Sequence, residues 1–436
     1  MEWYAAGGLL IGTVVCLMAL GVPVAIAFMA TNVIGTLFFI GSFNGLLQAV
    51  DNSTVLITSF QLVPVPMFIL MGSLFFYSGL AVRVFDALDK LFGRIPGRLC
   101  FLTVAGGTTF STLTGSSMAN TAMLGSLLVP EMERRGYAKK MSIGPILGTG
   151  GLAMLIPPST LGVLLASIAG VDVGRLLIAG IIPGLLLALL YVGMISLQVW
   201  RDPSCAPPYD LEPTPLREKL LGLVMSVLPM GVVVAMVVGF IIFGIATPTE
   251  AAAFGVLGVL ILAALFRVLT FKVLFESLLS TVKVAGMVFF IIMNSNVFSQ
   301  LLAFSGASSG MIGWVTGFDI PVTVVLLAMF AVLLLLGMFM DPVSMMLISV
   351  PVFFPLALTF GVDPAWFAIF MLLALEMSQT TPPFGLLLYI MLGVSPKGTT
   401  LYQVATAALP YLFCDAVLVG LILAFPMLVL WLPGFM

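Results

Sequence analysis

The stretch that decides the fold is TVAGGTTFSTLTGSSMANT, from Thr103 to Thr121, which carries no charge between two apolar flanks. Most of its positions are Gly, Ser, Thr or Asn. At membrane depth, such a soft and polar segment is tolerated only inside protein or against an aqueous cavity. Gly115, Ser116 and Ser117 suit the tip of a re-entrant hairpin, since small residues let two helical arms pack closely. We therefore predict this hairpin over residues 99–129.

The composition of the whole chain indicates a membrane protein. Of its 436 residues, 61% are apolar and 8% are charged, whereas a soluble domain carries about 25% charged residues. The apolar runs are long and continuous enough for helices and too long for barrel strands. We predict an all-α polytopic membrane protein that retains its first span, Glu2 to Met29, with crossings near 5–29, 30–50, 62–82, 143–169, 176–200, 221–246, 249–270, 284–304, 364–393 and 402–433.

Several classes of function are excluded by residues that the chain lacks. It has no histidine, which removes imidazole metal sites, histidine proton relays and histidine-based catalytic triads. The four cysteines are scattered without metal-ligand spacing, so we interpret them as packing residues. No GxxxxGK[ST] motif is present, so ATP is not the expected driver. We expect a non-enzyme that contacts the lipid bilayer and binds no nucleic acid.

Basic residues predict the orientation, because Lys and Arg concentrate in short cytoplasmic loops. A cluster from Arg83 to Arg98 precedes the predicted hairpin and a second, from Arg134 to Lys140, follows it. A segment that enters the membrane and returns keeps both clusters cytoplasmic, whereas a single crossing would separate them. The long polar linker 201–219 falls on the same side, and the N-terminus falls outside.

The two halves of the chain align at one offset over three landmarks and at a slightly smaller offset upstream, where Phe68 to Met71 matches Phe290 to Met293. The matched landmarks are Pro130 with Pro355, Gly136 with Gly361, and Pro157-Pro158 with Pro382-Pro383. The loop after Pro355 lacks the basic residues of its counterpart, so the second copy is predicted to be inverted. A second re-entrant hairpin is then expected at 321–356, with Asp341 near its tip, where the same offset places the counterpart of Ser116. Inverted repeats with broken helices are typical of secondary transporters.

The repeat divides the chain into five predicted parts. These are N-terminal helices at 1–61, a first repeat at 62–175, helices with the linker at 176–283, a second repeat at 284–401, and a C-terminal helix at 402–436.

Polar residues of the repeat are candidate ligands for a hard cation such as sodium. At the first tip these are Ser116, Ser117 and Asn120, with tight helix packing by small residues as the alternative reading. The run GTGGLAMLIPPST, from Gly148 to Thr160, is expected to unwind at Gly148 to Gly151 and free its carbonyls, unless it is a simple Pro kink. In the second copy, LEMSQTTPPFG, from Leu375 to Gly385, offers the Met377 carbonyl and the side chains of Gln379, Thr380 and Thr381.

Four acids fall at predicted membrane depth, where ionisable residues are functional candidates by default. Asp341 is expected to be a cation ligand or a brace for its hairpin tip. Glu250, in TPTEAAA, suits the first turn of a helix. Glu376 stays open between function and structure, and Asp415 is expected to be structural.

A polar patch interrupts another apolar span at MNSNVFSQ, from Met293 to Gln300. It suits either hydrogen bonding to a polar solute or helix–helix contact. Together with the tips, it gives a set of expected substrate contacts, namely Gly115, Ser159, Asn294, Ser295, Asn296 and Gln379.

The motifs resemble those of a known family, and the likeness spans nearly the whole chain. The runs GSSMANTAMLGSLLVPEMERRGYAKK, GGLAMLIPPST, FGIATPTEAAAFGVLG, GMFMDPVSMM and TTPPFG are similar to the large membrane subunit of tripartite ATP-independent periplasmic (TRAP) transporters. The resemblance implies sodium-coupled uptake of a small organic acid, of carboxylate or sulfonate type, by an elevator mechanism in the bacterial inner membrane. It further implies that the repeats at 62–175 and 284–401 form a moving transport domain, while 1–61, 176–283 and 402–436 form a scaffold. It also implies two partners, a small membrane (Q-type) subunit and a periplasmic substrate-binding protein. No four-helix module flanks Glu2 to Met436, so the small subunit is expected to be a separate chain.

Carried over by position, the resemblance implies two sodium sites. The first comprises Ser116, Ser117, Asn120, Gly148, Thr149 and Gly150, and the second comprises Asp341, Met377, Thr380 and Thr381. The chain departs from the family at Leu387, where many relatives carry Asn, and at Ser378-Gln379. These departures leave the substrate open.

Three functional readings compete at this point. The first is a sodium-coupled transporter, and its variant is proton-coupled, with Glu376 or Asp341 as a proton carrier. The second is a membrane scaffold subunit that transports nothing. The third, an intramembrane enzyme, lacks both a histidine and a close acid pair.

Overall fold

The computed structural model describes residues 1–41, 43–91, 95–114, 116–208, 215, 217, 221–318 and 320–435. Within these ranges the regular structure is helical, with no strand. The α-helices are Trp3–Ala19, Val24–Phe39, Phe43–Ile57, Pro64–Tyr77, Leu80–Leu91, Arg98–Thr114, Ser117–Arg134, Lys139–Leu155, Thr160–Ala169, Val173–Ala179, Ile181–Arg201, Leu228–Ile242, Pro248–Leu265, Phe271–Phe304, Ala307–Thr316, Val322–Gly337, Pro342–Thr359, Pro364–Thr380, Leu386–Val394, Leu401–Ala424 and Met427–Leu430. Short 3₁₀ turns occur at Phe60–Leu62, Pro203–Cys205 and Pro433–Phe435, and a π-helical segment occurs at Leu223–Val227.

The prediction of an all-α polytopic membrane protein is confirmed. Among the described residues, six helical segments are long and apolar enough to cross a membrane, and up to eight if two bent pairs each count as one span. One pair is Pro64–Tyr77 with Leu80–Asp89, bent by 63°, and the other is Lys139–Leu155 with Thr160–Ala169, bent by 43°.

The predicted bounds of the first two crossings, 5–29 and 30–50, are wrong. Three shorter helices, Trp3–Ala19, Val24–Phe39 and Phe43–Ile57, occupy this region. The first helix ends because Gly21 takes a φ of 84° and Pro23 follows it. The apolar run continues through this turn, so hydropathy alone did not reveal it.

The two copies of the repeat begin and end their helices at equivalent positions. Ser117–Arg134 corresponds to Pro342–Thr359 at both ends, and Lys139–Leu155 corresponds to Pro364–Thr380 at both ends, with the offset that relates Pro130 to Pro355. In each copy a glycine with positive φ, Gly136 at 80° or Gly361 at 74°, turns the chain between these two helices. The Pro-Pro bond is cis in both copies.

Residues at equivalent or directly adjacent positions of the two copies also touch each other. The Tyr191 hydroxyl donates to Asp415 Oδ1 at 2.5 Å, and Asp415 directly precedes the residue that the repeat offset relates to Tyr191. A Cβ placed on Gly151 would lie 2.6 Å from Cγ of Glu376, which holds the position of Gly151 in the second copy. Equivalent residues can meet only near the axis that relates the copies, so these contacts mark the two-fold axis of the inverted repeat.

Each copy contains a helical hairpin followed by a broken helix. The first hairpin consists of Arg98–Thr114 and Ser117–Arg134, whose arms pack against each other and against Lys139–Leu155. The second hairpin consists of Val322–Gly337 and Pro342–Thr359, whose arms also pack together. The two predicted hairpins are therefore present.

The breaks in the two broken helices fall at the Pro-Pro steps. The first broken helix is Lys139–Leu155 plus Thr160–Ala169, and the second is Pro364–Thr380 plus Leu386–Val394. The predicted unwinding at Gly148 to Gly151 is wrong, since these residues are helical and buried. The chain leaves the helix only at Ile156, whose ψ of 122° is the extended conformation favoured before proline.

The glycines of the first broken helix serve close packing. A Cβ on Gly148 would lie 2.7 Å from Cδ1 of Tyr411, and one on Gly144 would lie 2.7 Å from the Ala407 carbonyl oxygen. Such contacts leave no room for a side chain, so helix Leu401–Ala424 approaches this helix closely along its glycine face.

Some helix contacts cross the predicted boundaries between the parts of the chain. The N-terminal helices pack against Phe271–Phe304 and Ala307–Thr316. Ile181–Arg201 and Leu401–Ala424 contact the first broken helix, and the division into a transport domain and a scaffold stays a prediction.

The glycine contact can be tested with a single methyl group. Gly144→Ala should destabilise the protein by about 1–3 kcal/mol, because its Cβ would overlap Tyr411 and the backbone at Ala407. Thermal unfolding of the detergent-purified chain measures the loss as a lowered midpoint. The matched control is Gly193→Ala, which meets no atom within 4 Å in helix Ile181–Arg201 and should stabilise by about 0.5–1 kcal/mol. Equal midpoints for both variants would contradict the close packing.

Candidate functional site

The tips of both hairpins line one large cavity of about 550 Å³. Ser116 to Ala119 contribute from the first tip, and Asp341 to Val343 contribute from the second. The rest of the described lining comes from Val65, Ile69, Gly72, Ser73, Phe76, Tyr77, Thr160, Leu161, Leu164, Ser280, Val284, Met287, Val288 and Gln379. Most of these side chains are apolar, as is usual for sites that bind small organic ligands.

The first tip is hydrogen-bonded to both broken helices. The Ser117 hydroxyl donates to Glu376 Oε2 at 3.2 Å, and Asn120 Nδ2 donates to the Thr149 carbonyl oxygen at 3.1 Å. Ser116 caps the second arm by accepting from the Ala119 amide at 3.3 Å. Of the predicted first sodium set, the structure thus brings together Ser117, Asn120 and Thr149, with Gly150 beside them.

Two further residues, Thr121 and Glu376, belong to this polar cluster. Thr121 Oγ1 and Glu376 Oε1 are buried and have no hydrogen-bond partner in the described part of the chain. A Cβ on Gly150 would lie 2.8 Å from Thr121 Oγ1, and one on Gly151 would lie 2.7 Å from Glu376 Oε1. Two adjacent glycines thus face two buried oxygens.

The sequence did contain a signal for each of these residues. Thr121 lies one helical turn after Ser117 and therefore on the same face of the hairpin arm. Glu376 occupies the position of Gly151 in the second copy, which placed it near the axis. Thr121 was not among the predicted site residues, and the role of Glu376 was open between function and structure.

At the second tip, Asp341 acts as a brace. Its Oδ1 accepts from the amides of Val343 at 3.0 Å and Ser344 at 3.2 Å, and the Ser344 hydroxyl donates to its Oδ2. The carboxylate therefore caps the N-terminus of the second arm. Of the two predicted readings, this geometry matches the brace, and Asp341 still lines the cavity.

The other members of the predicted second sodium set lie on the second broken helix. The Met377 carbonyl oxygen accepts from Thr380 at 3.1 Å and from Thr381 at 2.6 Å. Thr380 lines a small pocket with Gly148 and Glu376, whereas Asp341 lines the large cavity. Thr380 and Asp341 thus line different pockets, and their pairing in one sodium site stays a prediction.

Gln379 is the polar side chain that the second broken helix contributes to the cavity wall. Its Nε2 and Oε1 are both buried, and neither has a hydrogen-bond partner within the described ranges. Burying an amide without hydrogen bonds costs free energy of folding, so a ligand that completes these hydrogen bonds would offset the cost.

The remaining expected substrate contacts do not lie in the wall of this cavity as far as it is described. Ser159 caps helix Thr160–Ala169, accepting from Gly162 at 3.0 Å and donating to the Met154 carbonyl oxygen. Asn32 Nδ2 donates to the backbone carbonyl oxygen of Asn294 at 2.8 Å, and this hydrogen bond joins two helices. Ser295 and Asn296 line a separate pocket of about 200 Å³, and Gly115 lies outside the described residues.

Two other acids have the structural roles predicted for them. Glu250 forms a reciprocal capping pair with Thr247, in which the Thr247 amide donates to Glu250 Oε2 at 2.8 Å. Asp415 is buried and bonded to Tyr191. All four cysteines are free; Cys100, Cys205 and Cys414 are buried, in agreement with a packing role, whereas Cys16 is exposed.

The bracing role of Asp341 predicts a specific pattern of stability. Asp341→Ala should cost about 1 kcal/mol, because the amides of Val343 and Ser344 lose their acceptor. Asp341→Asn should cost less, since asparagine caps helices nearly as well as aspartate. Thermal unfolding of the purified variants measures both. A loss in Asp341→Asn as large as in Asp341→Ala would show that the charge, and not the cap, stabilises the tip.

Comparison with known proteins agrees with the fold. The model of the tripartite ATP-independent periplasmic transporter family, DctM component, matches residues 11–428. The C4-dicarboxylate TRAP transporter large permease protein DctM of Pseudomonas aeruginosa is 33% identical over 384 residues, which are 86% of this chain and 87% of that protein. Its namesake from Rhodobacter capsulatus is 30% identical, over 98% of both chains.

A solved structure shows the same fold at low sequence identity. The YdaH transporter of Alcanivorax borkumensis superposes with a TM-score of 0.62 at 17% identity, covering 89% of this chain and 90% of that one. The match over residues 11–428, the paired hairpins and the two broken helices lead to one assignment: the chain belongs to the DctM family of tripartite ATP-independent periplasmic transporters and is a multi-pass large permease subunit.

Proposed function

We propose that this permease couples the import of a small organic acid to the inward movement of sodium. The observation that carries the proposal is the juxtaposition of one large cavity, lined by both hairpin tips, with a buried cluster of oxygen atoms behind the first tip. A secondary transporter needs a solute site and an ion site that share structural elements, and Ser117 belongs to both.

The residues of the buried cluster fit a hard monovalent cation. Thr121 Oγ1 and Glu376 Oε1 are buried oxygens without partners, beside the Ser117 hydroxyl and the Thr149 carbonyl. No group of three His, Cys, Asp or Glu side chains that could hold a metal ion occurs in the described ranges. Oxygen donors with at most one carboxylate suit sodium better than a transition metal.

Solute binding at the tips is supported by helix geometry. The second arm of each hairpin begins at the cavity, at Ser117 in one copy and at Pro342 in the other. Helix N-termini carry partial positive charge and attract anions. Two relatives are named for C4-dicarboxylates, so we propose an organic acid as the class of solute for this chain.

The family description implies a three-part assembly, and we propose the same for this chain. A periplasmic binding protein would deliver the solute, and a small membrane subunit would enlarge the static part. We place the assembly in the bacterial inner membrane.

We further propose that the hairpins and broken helices move as a unit against the N-terminal helices, as an elevator does. The cavity wall includes Tyr77 and Ser280, which are close in sequence to the basic residues Arg83 and Lys283. These basic residues are expected on the cytoplasmic side. The cavity is therefore proposed to face inward in this conformation.

Sodium coupling predicts a cation-specific gain in stability. Replacing KCl by NaCl at constant ionic strength should raise the unfolding midpoint of the purified chain, because a ligand bound only by the folded state stabilises it by about 2.7 kcal/mol at a hundredfold excess over Kd. Thr121→Val should reduce this sodium-specific gain, since it removes one partnerless oxygen and preserves the shape of the side chain.

The matched control for this experiment is Thr13→Val in helix Trp3–Ala19, where the hydroxyl is bonded to the Leu9 carbonyl oxygen. It should leave the sodium response unchanged. No difference between sodium, potassium and choline, with the small subunit present, would count against sodium coupling. Uptake driven by a pH gradient without sodium would instead identify proton coupling, for which Glu376 is the buried acid near the first tip.

The inward-facing cavity predicts which side of the membrane reaches Ser280. In a variant without native cysteines, Ser280→Cys should react with a membrane-impermeant maleimide added from the cytoplasmic side, because Ser280 lines the cavity. Ser299→Cys lies roughly 28 Å further along the same helix and lines the separate small pocket, so it should react from the periplasmic side. Labelling of Ser280→Cys only from the periplasmic side would contradict the assignment.

A further inference from the structure

The large cavity has a charge pattern that restricts its solute. Among the described residues that line it there is no Lys or Arg, and the sequence has no His. The acid that lines it, Asp341, already accepts hydrogen bonds from two backbone amides and the Ser344 hydroxyl. A solute with two carboxylates would move from water into the cavity, where its second charge has no cationic partner. This transfer costs free energy.

Polar and apolar groups are segregated within the same cavity. The two tips and Gln379 supply the polar end, while Val65, Ile69, Leu161, Leu164, Met287 and Val288 supply an apolar wall. One anionic head fits the polar end, where two helices begin. The apolar wall favours a hydrocarbon body of the solute, because its burial removes apolar surface from water.

Gln379 points to the way in which the head is bound. Gln379 lines the cavity, but both polar atoms of its amide are shut off from water in this conformation and lack a partner in the described structure, so binding a solute requires the side chain to turn into the cavity. An amide in this condition lowers the stability of the empty protein unless a ligand completes its hydrogen bonds. Its Nε2 is a donor, so a carboxylate oxygen is the matching group.

We propose that the cavity selects a monocarboxylate with an apolar body over a small dicarboxylate, and that Gln379 is the specificity-determining residue that donates to its carboxylate. This inference rests on the proposed function, because it takes the cavity to be the solute site. It narrows the class of organic acid from any carboxylate to one with a single charge and a hydrocarbon or aromatic body.

The test uses thermal unfolding of the purified full-length permease at one fixed sodium concentration. The probes are 4-methylpentanoate and phenylacetate as monocarboxylates and succinate as the dicarboxylate, each titrated as its sodium salt against sodium chloride. The two monocarboxylates should raise the unfolding midpoint in a saturable manner, and succinate should raise it less at every concentration. A larger shift with succinate, or no shift with either monocarboxylate at 50 mM, would overturn the proposal.

The variant Gln379→Leu separates a binding role from a structural one. It should leave the midpoint of the empty protein unchanged or raised, because it removes an unpaired buried amide. It should weaken monocarboxylate binding about tenfold, the effect of losing one hydrogen bond to a charged group. A lowered midpoint together with unchanged binding would assign Gln379 a structural role and overturn its part in recognition.

The matched control is Gln300→Leu, which makes the same substitution at an exposed amide bonded to Asn52 and Asn296. It should leave the affinity for each probe unchanged. The sodium-specific gain in stability, measured without solute in both variants, keeps this proposal apart from sodium coupling. If that gain is absent while the monocarboxylates bind, sodium coupling fails and the proposed substrate class stands. If the gain is present while succinate binds best, sodium coupling stands and the proposed substrate class fails.

Discussion

The structure around the cavity depends on one buried helix, Lys139–Leu155, and on how closely its neighbours approach it. Every residue from Met141 to Leu155 is buried. Its glycines contact Tyr411 on one side and Thr121 and Glu376 on another, and these contacts are too close to leave room for a methyl group. Without these glycines, the first hairpin, the second broken helix and the C-terminal helix could not converge on the same point. The polar cluster exists because three elements share this close contact.

A second constraint is the need to satisfy backbone groups where helices stop inside an apolar environment. At each interruption a side chain takes over: Ser116 and Asp341 cap the hairpin arms, and Ser159 caps the second part of the first broken helix. These caps hold several helix N-termini near the cavity. Where the cap is a neutral serine, at Ser116 and Ser159, the helix N-terminus keeps its partial positive charge, whereas the Asp341 carboxylate offsets it at the second tip.

The sequence was sufficient to predict the hairpins, the repeat and the Pro-Pro breaks, because Gly and Pro fix backbone shape and recur at one spacing. It failed at Gly148 to Gly151, where the glycines serve a close approach between helices and the backbone stays helical. Close packing depends on the partner helix, Leu401–Ala424, which local sequence does not reveal. The role of Asn294 was open for the same reason, since its partner, Asn32, lies far away in the sequence, in another helix.

The two-fold axis described above has a consequence for how such a repeat can arise. If both halves descend from one ancestral segment, a residue on the axis begins opposite a copy of itself. Two glutamates facing each other in a buried position would repel. The contact seen here pairs Gly151 with Glu376, a small residue with a large one. This position on the axis is thus a place where the two halves have to differ, and where exchanging one half for the other would fail.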